Sequence, residues 1–375
     1  MIPTYAHNMA VPNKAALIRS VVSAGDAAPL KHVFGQAREG KPVLVAVIGG
    51  SITGGAAASH ANRTYANCIL AWWKDRFPKA RITLVNAGVG ATGSNYGAFR
   101  AQRDLLSKKP DFVVIEYACN DQNRPAAELS YEGLIRQVLS QPQHPAVLLL
   151  FMTHKDGTNN QAQESAIGSH YHLPMISYQD ALWSEIQSGT LKYDDCQADE
   201  VHPNDAGHAY AASLVTTYLA GIADLPSDPD AQAPAYALPA PLHSDIYQFT
   251  RLYEPKALQP SRTDGWTLND AGYYTADKPG SVFECDVEGQ SVSLLGWRIR
   301  GAMGKIRAQV DDRPPVDIDG WFAATWGGYL TCDIISEGLP AGRHHIHIEL
   351  LDQKDPGSTG YEYRLYGFGT AGVKE

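Results

Sequence analysis

The chain has 375 residues, 44% of them hydrophobic and 19% charged, an ordinary globular composition with length enough for two domains, each with its own core. The formal net charge of −9 argues against nucleic acid or an anionic membrane as partner, since both call for a basic face. No apolar run reaches membrane-spanning length.

In chain order, residues 15–36 read as helical, with Ala15, Ala16, Leu17, Ile18 and later Leu30, Val33 and Phe34 supplying an apolar side. Residues 43–48, Val-Leu-Val-Ala-Val-Ile, form an almost wholly apolar run that suits a strand buried on both faces. A helix over 63–77 follows. The pattern then repeats: strand 81–86 and a glycine-rich turn, helix 97–107, strand 111–116, helix 126–140, strand 145–151, helix 160–168, strand 175–177 and a closing helix over 205–222. Such alternation predicts a three-layer α/β/α domain with a parallel sheet over residues 1–224, an N-terminal helical extension included. Ligands of such sheets bind at the carboxyl ends of the strands.

Residues 225–243 contain five prolines among Ala, Asp and Ser and read as a semi-stiff linker. Beyond them the hydrophobic period becomes two, over 281–287, 291–295, 305–310 and 345–350. Turn signals at Asp311-Asp312-Arg313-Pro314 and Pro340-Ala341-Gly342 separate these strands. Residues 244–375 are therefore expected to form an all-β sandwich.

Three loops at predicted strand ends carry chemistry. Gly49-Gly50-Ser51-Ile52-Thr53 places a serine after the first strand, where two glycines allow a sharp turn. Alone, that turn reads equally as a strand-to-helix connection with a capping serine. It is neither the G-x-S-x-G elbow nor a phosphate loop, for no Gly-Lys-Ser/Thr is present. Ala118-Cys119-Asn120-Asp121 follows the third strand, and the Asn120 amide can donate to a developing oxyanion. Asp199-Glu200-Val201-His202-Pro203 offers an acid that can curl back onto an imidazole whose other nitrogen faces the serine. The bland alternative is a helix-capping loop, with Asp205 as the cap and Asp199 a solvated charge. His208 reads as structural. The turn from Asn86 to Ser94 could add backbone N–H groups to the oxyanion.

Taken together, these stretches resemble the blocks of the SGNH, or GDSL-like, hydrolase superfamily over roughly residues 30–222. Gly49 to Thr53 resembles the first block, with Gly-Gly for Gly-Asp; Asn86 to Ser94 the second; Ala118 to Asp121 the third; and Asp199-x-x-His202-Pro203 the last. The resemblance implies a flavodoxin-like fold with Ser51 as nucleophile, His202 as base and Asp199 as the acid that orients it. The oxyanion hole would take the N–H of Ser51, the amide of Asn120 and a turn N–H. The usual glycine of the second block falls on Ala91, with Gly90 just before it, and both stay open as that donor. The superfamily acts through an acyl-enzyme, with no metal and no organic cofactor. Its substrates range from acetylated sugars to lipids and thioesters, and fold alone does not choose among them.

Residues 304–312 (Gly-Lys-Ile-Arg-Ala-Gln-Val-Asp-Asp), followed by 339–346 (Leu-Pro-Ala-Gly-Arg-His-His-Ile), resemble the jelly-roll modules joined to SGNH-type carbohydrate acetylesterases, although those usually precede the catalytic domain. Trp266, Trp297, Trp321 and Trp326 of the β region are candidate sugar contacts; rings in a β region also build cores. The expected substrate is therefore a small-molecule or polysaccharide O-acetyl ester. Alternatives are a lipase- or thioesterase-type acylhydrolase, a sugar O-acyltransferase, and a carbohydrate-binding protein on a decayed hydrolase domain. The five scattered cysteines (Cys68, Cys119, Cys196, Cys285 and Cys332) show neither metal-ligand spacing nor a disulfide framework. The N-terminus lacks a basic-then-apolar leader, which gives a cytoplasmic expectation, or a secreted or periplasmic one if a leader has been removed. Oligomeric state is open.

Overall fold

The computed structural model describes residues 11–122, 124, 126–225 and 237–373. The first ten residues and positions 226–236 of the expected linker lie outside the described residues. The rest divides into two compact units. One runs to His243; the other takes Ser244 onward together with Ala98–Arg100.

The first unit is built as strand–helix alternation requires. In chain order it comprises α1 (Lys14–Ser20), β1 (Val21–Ser23), α2 (Ala28–Arg38), β2 (Val43–Gly49), α3 (Ser51–Gly54), α4 (Tyr65–Arg76), β3 (Ile82–Gly88) and α5 (Ser94–Asp104). There follow β4 (Phe112–Glu116), α6 (Ala127–Leu139), β5 (Ala146–Phe151), α7 (Gln161–His170), β6 (Met175–Ser177), α8 (Tyr178–Gln187), α9 (Tyr193–Cys196) and α10 (Asp205–Ala223). The sheet order is β1-β6-β5-β4-β2-β3. Strands β2 to β6 pair in parallel. β4 and β5 are buried along their whole lengths, as runs that are apolar but for Glu116 at the end of β4 require.

One short antiparallel edge departs from the expected all-parallel sheet. The single helix expected over 15–36 is broken by Val21–Ser23, which pairs with β6. Asn13 caps α1, and Gly25 turns the chain back in the left-handed region at φ +57°. α8 and α9 also lie outside the expected elements.

β2 is flanked by β3 and β4. The chain steps from β2 to β3 on one side, then crosses back to β4 on the other. This reversal is the topological switch point at which such sheets open a crevice beyond their strand ends. The layers are welded by a core that includes Val45, Val47, Phe112, Leu148, Phe34, Trp73 and Leu214, all at most 1% exposed.

Residues 237–243 are fastened to this unit. The buried Glu132 of α6 accepts the N–H groups of Leu242 and His243 and the Tyr171 hydroxyl. Arg136 donates to the Pro239 carbonyl at 2.8 Å, and the His170 ring bonds the Ala240 carbonyl.

The second unit is the expected all-β sandwich. Its strands are β7 (Thr250–Tyr253), β8 (Arg262–Asp264), β9 (Thr267–Leu268), β10 (Tyr274–Ala276), β11 (Val282–Glu288), β12 (Ser291–Arg298), β13 (Lys305–Val310), β14 (Val316–Asp319), β15 (Tyr329–Ser336), β16 (Arg343–Leu350) and β17 (Tyr363–Ala371). One sheet has the order β15-β12-β17-β10-β9, with β7 also on β17; the other is β14-β13-β16-β11-β8. All these pairings are antiparallel. β16 alternates exposed and buried residues along its length, so Ile346, Ile348 and Leu350 face the core. Among the described residues no helix is long and apolar enough to cross a membrane.

Candidate active site

β2 ends at Gly49, and Gly50 leads straight into the short helix α3, whose first residue is Ser51. The half-buried serine thus stands beyond the carboxyl end of the strand beside the switch point. Its neighbours arrive from the two flanking strands. The turn after β3 carries Gly90, where an added Cβ would lie 3.8 Å from the Ser51 Cβ. The loop after β4 carries Asn120, whose amide fills the space a side chain at Gly50 would take: a Cβ there would sit 1.9 Å from the Asn120 oxygen.

His202 comes from the loop before α10. That loop closes on itself through a Gln197–Pro203 bridge and bonds from Ala198 N–H to His202 O and from Asn204 N–H to Cys196 O. α10 is capped by the Asn204 side chain, which accepts from Ala206 and Gly207. The alternative that made Asp205 the cap is therefore corrected. Asp205 instead accepts the Ser59 N–H and hydroxyl and pairs with Arg63 at 3.2 Å; Asn204, one residue earlier, has the extended backbone a cap needs.

His202 Nε2 is 2.8 Å from Ser51 Oγ, and its Nδ1 is 2.8 Å from Asp199 Oδ2. The second oxygen, Oδ1, accepts the N–H groups of Val201 and His202 at 2.8 Å each. Partial burial pushes the Asp199 carboxyl upward, but the bonds from the His202 ring and from the two N–H groups outweigh it and leave the acid below its ordinary range. An ionised Asp199 fixes a proton on Nδ1 and leaves Nε2 free to accept one. His208 is fully buried in α10. Its Nδ1 accepts the Tyr65 N–H and its Nε2 bonds the Ala56 carbonyl, a structural arrangement.

Around this line of atoms lie side chains to which motif reading gave no role. Asp121 is 1% exposed and accepts the Ser94 N–H at 2.8 Å, joining the loop after β4 to the start of α5. Burial raises its carboxyl to about 6. Arg124 bonds the carbonyls of Asn120 and Ala91, so one guanidinium ties both turns beside Ser51. Ala91 itself sits in the left-handed region, at φ +60°. That conformation favours glycine, the residue the resembling block carries there, and alanine in it is strained by about 1 kcal/mol. Ala91→Gly is accordingly expected to match or exceed the wild type in urea denaturation, by up to about 1 kcal/mol, with kcat kept within about threefold. A clear loss of stability would mean that the Ala91 methyl group packs usefully.

The tryptophans in the second unit separate by exposure. Trp266 is 3% exposed and lies edge-on to Phe283 and Tyr363. It is core, which corrects its reading as a sugar contact. Trp297 stacks on Tyr366 at 5.6 Å and is lidded by Gly328; Trp321 is lidded by Gly357. Trp326 is 62% exposed, with Phe322 and Tyr329 against it. Among the described residues no group of His, Cys, Asp and Glu could hold a metal ion.

The model of the GDSL-like lipase/acylhydrolase family matches residues 47–210. Among solved structures, a two-domain esterase active on acetylated mannans is 31% identical over 96% of this chain and 99% of its own, with a TM-score of 0.85. This chain belongs to the GDSL-like lipase/acylhydrolase family. The GDSL-like enzyme is a carboxylic ester hydrolase. A structure of the mannan esterase co-crystallised with mannopentaose is 31% identical over 96% of this GDSL-like chain and 98% of its own, again at a TM-score of 0.85. An acetyl xylan esterase is 22% identical over 47% of the GDSL-like chain and 98% of its own at a TM-score of 0.39, too slight a likeness to argue from. No curated protein matches.

Proposed function

We propose that this esterase removes O-acetyl groups from mannan-type polysaccharide or its oligosaccharides by a Ser51–His202–Asp199 triad and an acyl-enzyme. The carrying observation is the unbroken line from Asp199 Oδ2 through the two ring nitrogens of His202 to Ser51 Oγ, with 2.8 Å at each gap. The substrate class rests on the two-domain esterase that shares nearly the whole length of the chain.

Ser51 Oγ attacks the acetyl carbonyl carbon while His202 Nε2 takes its proton. The carbonyl oxygen becomes an oxyanion among the Ser51 N–H, the N–H groups of the Gly90–Ala91 turn and the Asn120 amide. As the tetrahedral intermediate collapses, the C–O bond to the sugar breaks and His202 returns the proton to the departing sugar oxygen. Water then repeats the sequence on the acetyl-serine: His202 takes its proton, acetate leaves and Ser51 Oγ regains hydrogen. Asp199 stays ionised throughout and holds the imidazole in one tautomer. The exposed ring of Trp326 offers an apolar face of the kind on which sugars stack.

The test is release of acetate from acetylated manno-oligosaccharides, with acetylated xylo-oligosaccharides and a small aryl acetate for comparison. Turnover of the aryl ester with none on any acetylated sugar would remove the carbohydrate assignment. Transfer of acetyl to an added sugar in preference to water would make the enzyme an acyltransferase.

A further inference from the structure

We propose that Glu116 is a positioning residue for the nucleophile: through Thr53, its buried carboxyl fixes the turn that presents Ser51. The proposal rests on the assignment of Ser51 as nucleophile and names a part of the site that no motif contains.

Glu116 closes β4, and its register partner across the parallel pair is Gly49, two residues before Ser51. An acid ending a wholly apolar strand is unexpected, and this one is 0% exposed. Its Oε2 accepts the Thr53 hydroxyl at 2.9 Å. Thr53, also 0% exposed, lies two residues after Ser51 within α3. The same Thr53 oxygen is 2.8 Å from the Tyr65 hydroxyl. A threonine hydroxyl has one proton to give. With that proton directed at Glu116, Tyr65 donates to Thr53, and the chain runs Tyr65 to Thr53 to Glu116. The Thr53 carbonyl is held in turn by the Asn86 amide at 2.7 Å. Gly49 makes room for the arrangement: a Cβ there would lie 2.2 Å from the Thr53 hydroxyl oxygen. The turn bearing Ser51 is thus tied to β4 on one side and to the β3 end on the other.

Among the described residues, the groups that act on the acid include no counter-charge. Thr53 and Tyr65 face it from α3 and α4, Cys119 and Asp121 from the loop after β4, Tyr131 from α6 and Glu164 from α7. None of these is cationic, and Arg124 acts on Asp121. The second oxygen of Glu116 is buried, with no hydrogen-bond partner among the described residues. Burial, with Asp121 adding to it, raises the carboxyl to about 7 against the hydrogen bond from Thr53. Well below pH 7 the tether is a neutral carboxylic acid. Above it, a carboxylate forms beneath a site that must stabilise an oxyanion.

The test compares Glu116→Gln, Glu116→Leu and Thr53→Val by kcat and KM for an aryl acetate across about pH 5 to 9, with melting temperatures alongside. Glu116→Leu and Thr53→Val should each lower kcat on the order of ten- to a hundredfold by misplacing Ser51, with KM within about twofold. The double variant should lose no more than the worse single one. Glu116→Gln retains an acceptor for Thr53 and should recover most of that loss. Because the folded carboxyl titrates above its ordinary value, the contribution of Glu116 to stability is present below about pH 4.5 and is lost as pH rises to about 7. The Gln variant should gain on the wild type in melting temperature over that window, and its kcat should not share the wild-type decline above pH 7. A Thr53→Val protein with wild-type kcat, or identical pH profiles for Gln and wild type, overturns the proposal. Should Glu116→Leu fail to fold, the near-isosteric Thr53→Val still decides it. Ser51→Ala, run beside them, isolates the underlying assignment: full turnover there would sink the nucleophile itself, whereas an inert Ser51→Ala with unaffected Thr53→Val sinks only the tether.

Discussion

Ser51→Ala is expected to lower kcat for a small acetyl ester by on the order of 10⁵-fold, and to abolish labelling by a fluorophosphonate, while leaving the melting temperature near that of the wild type. The magnitude follows from what remains. On the proposed mechanism no acyl-enzyme forms without Oγ, and only the oxyanion donors and substrate binding still assist attack by water. His202→Ala should lose a similar factor, and the double variant little more than either single one, since nucleophile and base act as a unit. Asp199 differs in kind. Asp199→Asn disturbs the tautomer of His202, a defect worth about 10⁴-fold in other serine triads. Asp199→Ala also releases the two N–H groups held by Oδ1 and so loosens the loop itself. Wild-type turnover by Ser51→Ala would remove the triad mechanism at a stroke.

Gly50→Ala is expected to lower kcat by about 10²- to 10³-fold, the loss that follows removal of one oxyanion donor. The φ of −86° at Gly50 lies outside the left-handed region, and the expected loss rests on where the added methyl would go. The added methyl would lie 1.9 Å from the Asn120 oxygen and 2.9 Å from its nitrogen, and the amide must move away. Asn120→Ala should show the same loss directly, and combining the two should add nothing, because the first change has already removed what the second would take. Steady-state kinetics on the aryl ester for the two singles and the double check this. A Gly50→Ala enzyme within about threefold of wild type would show that Asn120 does not serve the oxyanion from its present position.

Much of the architecture was legible because it rests on local periodicity. The apolar runs within 43–48, 111–116 and 145–151 read as strands covered on both faces, and the alternating 345–350 as a strand facing a core on one side. The elements that escaped lack such a signature. Val21–Ser23 is three residues inside a stretch whose apolar spacing reads as helix; it becomes a strand because β6 leaves an edge for it to pair with. β17 contains Gly367, held at φ +116° with a Cβ position only 2.0 Å from the Tyr253 carbonyl, and glycine within a strand weakens the very pattern by which strands are found.

The site divides in the same way. Ser51, Asn120 and the Asp199–His202 loop announce themselves by short-range spacing at strand ends. Thr53 and Glu116, 63 positions apart, signal nothing to one another until the sheet forms, although an acid closing the Phe112–Glu116 strand was a clue. Trp266 shows the opposite failure: ring chemistry is visible in a sequence, but the direction in which the ring points is set by tertiary packing.

The grip of Glu132 on residues 242 and 243 bears on where the two halves of the gene product can be parted. Composition puts the seam somewhere between 225 and 243, where prolines crowd. Physically, the hydrolase ends later. A truncation at 225 would strip a buried carboxylate of two N–H donors and Arg136 of a carbonyl partner. Modules exchanged during evolution, or by design, would have to meet beyond His243 for the hydrolase to carry its own closing strap with it.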